Sequence, residues 1–348
     1  MTLEQYNANS KLPPGHGQIK CYVSPSTTKP SFSTFHASYP IKLLTPKLHS
    51  PYLAAVYIIT YGGGMVSGDS ISLSVESHPN VNLMLLTQGS TKIYKQRPGR
   101  MFVNNNSIQQ NDEEVIKSEG TQQKVNAFIH KDSLLLQLPE PTTCFRDAEF
   151  TQRQIFTLQD RTSSVVILDW FTCGRMSRGE RWDFLKYDSG IDLILGDKLI
   201  LRDVVLLKKN HHKLLKTRLE PYECYATLVL YGPKVIPLIN SIMEEFNKIV
   251  IDKISIMPNL IWSASILGEK HDIINGVVVK IAGITTELVR NFLIKVSLKG
   301  LEDIVDQMSL KINLLNTLLI TLPPLDIQAD HFCLKNPRSN AFCKVQTL

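Results

Sequence analysis

The chain has 348 residues, 43% of them hydrophobic and 20% charged, which is enough apolar content for a full core and argues against disorder. Its net charge of +6 comes from scattered basic residues with one local cluster, LLKKNHHKLLK (206–216), that carries no interleaved aromatics, so no nucleic-acid partner is expected. Six cysteines without a C-x-x-C pair do not make a disulfide framework and point to a reducing compartment, the cytoplasm.

Residues 1–14 read as a flexible N-terminal tail, with neither an apolar signal core nor an Arg-rich transit pattern. The rest, 15–348, reads as a single large β-rich domain. From Gly17 to about Leu230, short apolar runs such as GQIKCYV, YIIT, ISLSVE, VNLMLLTQ and SVVILDWFTC alternate with turns rich in Pro, Gly, Asn and Ser. No long helices are interleaved, so a doubly wound fold is disfavoured. The fold class is mainly β: stacked sheets in a β-helix-like or sandwich arrangement, with a few α-helices in the C-terminal third.

Within this run, YGGGMVSGDSISLSV (61–75) asks whether a glycine-rich loop holds a phosphate. Gly63 and Gly68 have P-loop spacing, but Asp69 and Ser70 stand where Lys and Ser/Thr are needed, and a carboxylate there repels phosphate. Gly62 and Gly64 begin a dinucleotide fingerprint whose third glycine falls on Ser67. Ile71, Leu73 and Val75 alternate with polar residues, so a strand follows and not a helix. The unit is strand, turn, strand, with three or four of Gly62, Gly63, Gly64 and Gly68 supplying positive φ.

The insert 104–120 is expected to be a surface loop or to contribute strand edges. Later, Val235, Ile239, Ile242, Phe246 and Ile249 form a helical apolar stripe over 233–250. NGVVVKIAG (275–283) reads as a strand. One or two helices are expected over 285–312, with Thr285 or Thr286 as cap and Gly300 as break. INLLNTLLITLPPL (312–325) is too short and too interrupted to span a bilayer, and no membrane association is expected.

Polar residues gather at four strand ends: the glycine loop with Asp69; Thr87, Gln88, Thr91, Lys92 and Tyr94; Glu140, Arg146 and Asp147; and Asp169, Arg175, Glu180, Arg181 and Asp183. No G-x-S-x-G elbow or H-E-x-x-H is present. Cys144 and Cys173 read as buried structural residues. Glu140 and Glu180 could serve as a glycosidase pair, so a β-rich glycoside hydrolase or carbohydrate-binding protein stays open, as does a pure scaffold. His211-His212, and His331 with Cys333 and Cys343, lack the short spacing of a structural zinc site. Scattered carboxylates and amides suit a transient site for a borderline divalent ion.

Six segments, in order, resemble the urease accessory protein D family (UreD, also UreH): GHGQI (15–19), PIKLLTP (40–46), GGGMVSGD (62–69), TQGSTKIY (87–94), LPEPTTCFRDAEF (138–150) and CGRMSRGERWDF (173–184). Gly89 stands where Ala is usual, and beyond about residue 235 little is similar. The resemblance implies a protein that is not an enzyme. It would assemble with urease accessory proteins F and G, the latter a GTPase, dock onto apo-urease and serve as scaffold and nickel conduit. Ni2+ would be transient, with no tightly bound cofactor. On this reading Asp69, Glu140 and Glu180 line or gate the nickel route, and Thr87, Gln88, Lys92 and Arg175 are conduit-lining or structural. The nucleotide belongs to the GTPase partner, which accounts for the missing P-loop lysine.

Overall fold

The computed structural model describes residues 12–46, 52–97, 120–209, 214–248, 259–268 and 275–301. The insert 104–119, His211-His212, Ile249, the stretch 302–325 and His331, Cys333 and Cys343 lie outside the described residues.

Two sheets stack face to face. The first runs Lys198–Lys208, Lys186–Leu195, Glu149–Leu158, Thr121–Ile129, Ser70–Ser77, His16–Val23, Pro30–Ala37. The second runs Leu260–Leu267, Gly276–Gly283, Cys224–Tyr231, Ser164–Thr172, Leu134–Gln137, Asn82–Thr87, Leu53–Thr60, Ile41–Leu44. Between Leu53 and Leu195 the long strands alternate between the sheets, and within each sheet they pair in parallel. The chain therefore coils, and each coil lays one new strand on each sheet. Antiparallel strands close the edges. This is the β-helix-like stack expected from the sequence.

The strands follow from their patterns. Ser70–Ser77 alternates, with Ile71, Leu73 and Val75 buried. Ser164–Thr172 is apolar on both faces because one face meets the first sheet and the other meets the helices. Pro233–Val235 makes a 3-10 turn into the helix Ile236–Asn247, whose Leu238, Ile239 and Ile242 pack on the outer face of the second sheet. Thr285 caps the helix Thr286–Phe292 by accepting a hydrogen bond from Leu288 N at 3.2 Å. Gly300 follows with φ +90°. No helix among the described residues is long and apolar enough to cross a membrane.

Between the sheets the core is split. One apolar cluster holds Val75, Leu83, Leu135, Phe156, Ile167 and Leu193. The other holds Ile71, Met65, Phe150, Phe171, Trp182 and Tyr187. Along Glu149–Leu158 the inward positions read Phe150, Gln152, Gln154, Phe156, so two amides lie between the clusters.

Candidate functional site

The glycine loop is strand, turn, strand. Gly62, Gly63 and Gly68 adopt φ of +72°, +71° and +88°, the left-handed region that favours glycine. Gly64 is extended; it is glycine for another reason, since a Cβ there would sit 2.5 Å from the Lys92 carbonyl oxygen. Asp69 closes the turn: its Oδ2 accepts from Val66 N at 2.8 Å, its own N–H donates to Val66 O, and its carbonyl accepts from Gln122 N.

Short strands continue from this loop. Gly64 pairs with Lys92, Lys92 with Thr143, and Met65, Ile93 and Cys144 follow in register. Thr143 then pairs with Thr172. Four of the sequence segments singled out above are thus successive rungs on one flank of the coil. Side chains tie them further. Thr87 Oγ1 accepts from Glu140 N at 2.8 Å. Tyr94 packs edge-on to Phe145, and the Arg175 guanidinium lies 3.9 Å over the Phe145 ring. Glu180 is buried, accepts from Arg146 N at 3.2 Å and takes a two-point pair from Arg175, with Nε at 2.8 Å and Nη2 closer still. The Arg175 hydrogen bond holds the Glu180 carboxyl below its ordinary range.

The polar layer crosses the gap between the sheets. Gln137 Nε2 donates to Gln154 Oε1 at 3.3 Å. Asp169 accepts from Ser189 Oγ at 2.6 Å and from Gln152 Nε2 at 3.2 Å. Further along, Lys280 Nζ donates to Asp203 Oδ2 at 2.5 Å and to Thr227 Oγ1 at 2.9 Å. Register explains the line-up: Gln152 pairs with Ser189 in the first sheet, and Asp169, Thr227 and Lys280 are consecutive partners in the second. Burial raises the Asp169 carboxyl above its ordinary value, against the lowering effect of its Ser189 and Gln152 hydrogen bonds.

This layer borders a cavity of about 410 Å³, lined among others by Thr87, Gln123, Gln137, Glu140, Gln152, Gln154 and Asp169. Asp169 keeps accessible surface although it lies between the sheets, and that surface faces the cavity. Gln137 Oε1 is buried with no hydrogen-bond partner, a costly state for an amide oxygen unless a guest fills the space. Outside, a wider cleft of about 940 Å³ shares Ile59, Thr87, Gln88, Gly89, Ser90 and Glu140 with the cavity and adds Cys173, Glu223 and Arg290. Glu140 thus touches both spaces. Its carboxylate is held by Arg290, Nη1 at 2.8 Å and Nη2 closer, and the Arg290 guanidinium stands 5.2 Å from the Trp170 ring.

Of the three acids singled out in the sequence, Glu140 lines the cavity, Asp69 closes the glycine turn and Glu180 is clasped by Arg175 on the flank. Thr87 and Gln88 line both spaces, while Lys92 is exposed and enters through its backbone. The sequence reading did not select Gln123, Gln137, Gln152, Gln154 and Asp203. One signal was available: Gln152 and Gln154 occupy the same alternation phase as Phe150 and Phe156. Cys21, Cys144, Cys173 and Cys224 are free and buried; burial pushes the thiols of Cys21, Cys173 and Cys224 up to about 12, so none of these three offers a thiolate near neutral pH.

Fold and site define a strand-dominated coil with a carboxamide- and carboxylate-lined interior, a class suited to holding a small polar or cationic guest. The family model described as UreD urease accessory protein matches residues 16–307, and the chain belongs to this family. It is 33% identical over 302 residues to urease accessory protein 4 of Cryptococcus neoformans var. grubii, covering 82% of this chain and 90% of that protein. It is 32% identical over 293 residues to urease accessory protein D of Arabidopsis thaliana, covering 78% and 92%. With an uncharacterized ureD-like urease accessory protein of Schizosaccharomyces pombe it shares 34% identity over 271 residues, 74% and 85% of the two chains.

Proposed function

We propose that this chain acts as scaffold and nickel conduit in urease maturation: it joins urease accessory proteins F and G, docks on apo-urease in the cytoplasm, and lets Ni2+ cross its inter-sheet cavity. It breaks no covalent bond. The observation that carries this reading is the polar layer itself. Amide and carboxylate oxygens, one of them the unpaired Gln137 Oε1, border an internal space where apolar packing would otherwise be cheaper. Neutral oxygen donors attract a borderline cation without trapping it, as thiolates or clustered imidazoles would. Glu140 lies at the boundary of cavity and cleft, and on this reading its pair with Arg290 opens before the carboxylate meets an entering or leaving ion.

The hydrolase alternative fits less well. Glu140 and Glu180 are each clasped by an arginine, and Glu180 is held towards the ionised form, whereas a glycosidase acid needs a raised value.

The test replaces both amides of one bonded pair, Gln137→Leu with Gln154→Leu, which puts two apolar side chains into the layer and strands neither member of the pair. Assembly with apo-urease and accessory proteins F and G should persist while nickel-dependent urease activation is lost. Full activation by the double variant would remove this cavity from the nickel route.

A further inference from the structure

Apart from His211-His212 the histidines look isolated in the sequence, yet coiling brings His78 and His130 together at one end of the first sheet. Glu76, His78 and His130 place one ligand atom each within 4.8 Å of one another. Glu76 lies on the outward phase of Ser70–Ser77, and His78 and His130 follow the ends of neighbouring parallel strands. Glu76 Oε1 is 3.1 Å from His130 Nε2 and 3.6 Å from His78 Nε2. The two rings stack with centroids 5.0 Å apart, inclined by 10°. The backbone fixes both: His78 N donates to Cys21 O, His78 O accepts from Ser133 Oγ, and His130 N donates to Ser77 O. The phenyl edge of Phe128 packs on His130 from one side.

We propose that Glu76, His78 and His130 form a site for one borderline divalent cation of the nickel–zinc class. Two donors each roughly 2.1 Å from a common ion stand about 3.0 to 3.4 Å apart, close to the spacings seen between each imidazole nitrogen and Oε1. Two imidazoles and one carboxylate are the donor set that such ions prefer, and magnesium or calcium do not. All three side chains are partly accessible, so an ion can reach them and water can complete its coordination. Lys20 Nζ stands 2.9 Å from the other carboxylate oxygen, Oε2, leaving Oε1 to the metal but opposing it by charge. Affinity is therefore modest. The site lies on the outer face, three residues along the strand from Leu73 of the cavity lining, about 10 Å at roughly 3.3 Å per residue, and on the opposite face of the sheet. It stands independently of the conduit reading, since a conduit failing in the amide test leaves these three ligands untouched.

The experiment uses the full-length protein and Ni2+ alone. Substoichiometric Ni2+ should broaden the imidazole resonances of His78 and His130 before those of the other histidines. In equilibrium dialysis His78→Asn with His130→Asn should lose one bound Ni2+, while His211→Asn with His212→Asn should keep it. Lys20→Met, which removes the opposing cation, should tighten the site by roughly fivefold, the worth of one exposed charge pair; a gain of this kind cannot come from misfolding. Broadening that begins at other histidines, an unchanged stoichiometry in the His78/His130 variant, or no tightening in Lys20→Met overturns the site.

Discussion

The Arg290 guanidinium, on the capped helix that follows the last described strand, grips the Glu140 carboxylate from 150 positions away in the chain. Each side chain is only 18% exposed, so removing either leaves a poorly solvated charge behind. A double-mutant cycle with Glu140→Gln and Arg290→Met, read by thermal unfolding, should give a coupling of about 1–3 kcal/mol. Glu140→Gln should also lower nickel-dependent urease activation more than it lowers complex assembly.

Glu180 predicts a pH effect of one sign. Its folded-state value lies below the unfolded one, so its contribution is present above the unfolded value near 4.5 and is lost as pH falls through the folded value. Glu180→Gln should cost about 2 kcal/mol at neutral pH, with the difference from wild type shrinking in acid. Urea melts at pH 7 and pH 4 check this.

Asp169 predicts the opposite sign. Its folded value lies above the unfolded one near 3.8, so its contribution is present below that value and is lost as pH rises through the folded value. The melting temperature of Asp169→Asn relative to wild type should therefore be higher at pH 7 than at pH 4. A difference independent of pH would contradict the burial of this carboxyl.

Two neighbouring glycines should respond for different reasons. At Gly63 a methyl group meets open space, so Gly63→Ala costs only the positive φ, about 1 kcal/mol. At Gly64 the same methyl meets the Lys92 carbonyl at 2.5 Å, and the rung must shift, costing about 1–3 kcal/mol. Hydrogen exchange at Tyr94 N, which donates to Met65 O, should quicken in Gly64→Ala and not in Gly63→Ala.

Much of the fold was legible because alternation in Ser70–Ser77 and the stripe Val235, Ile239, Ile242 report directly which faces are buried. The strand–turn–strand reading of residues 61–75 followed from the alternation of Ile71, Leu73 and Val75 after the glycines, while Asp69 in place of a P-loop lysine excluded a phosphate loop. The polar layer was harder to see. Asp169 lies in a strand whose two faces are both covered, so alternation gives no inward side, and its partners Gln152 and Ser189 lie on two strands of the facing sheet. Likewise the sequence shows Glu140 but not Arg290, because the helix bearing Arg290 packs back over the second sheet. Proximity created by coiling has no local sequence signature.

The amides between the sheets have one further consequence. A carboxamide does not ionise in water's accessible range, so Gln123, Gln137, Gln152 and Gln154 present the same dipoles in an acidified or an alkaline cell. Whatever occupies that space meets, from these four side chains, a field indifferent to proton concentration. Sensitivity to acidity within the layer then rests on Asp169, whose carboxyl burial pushes above its ordinary value.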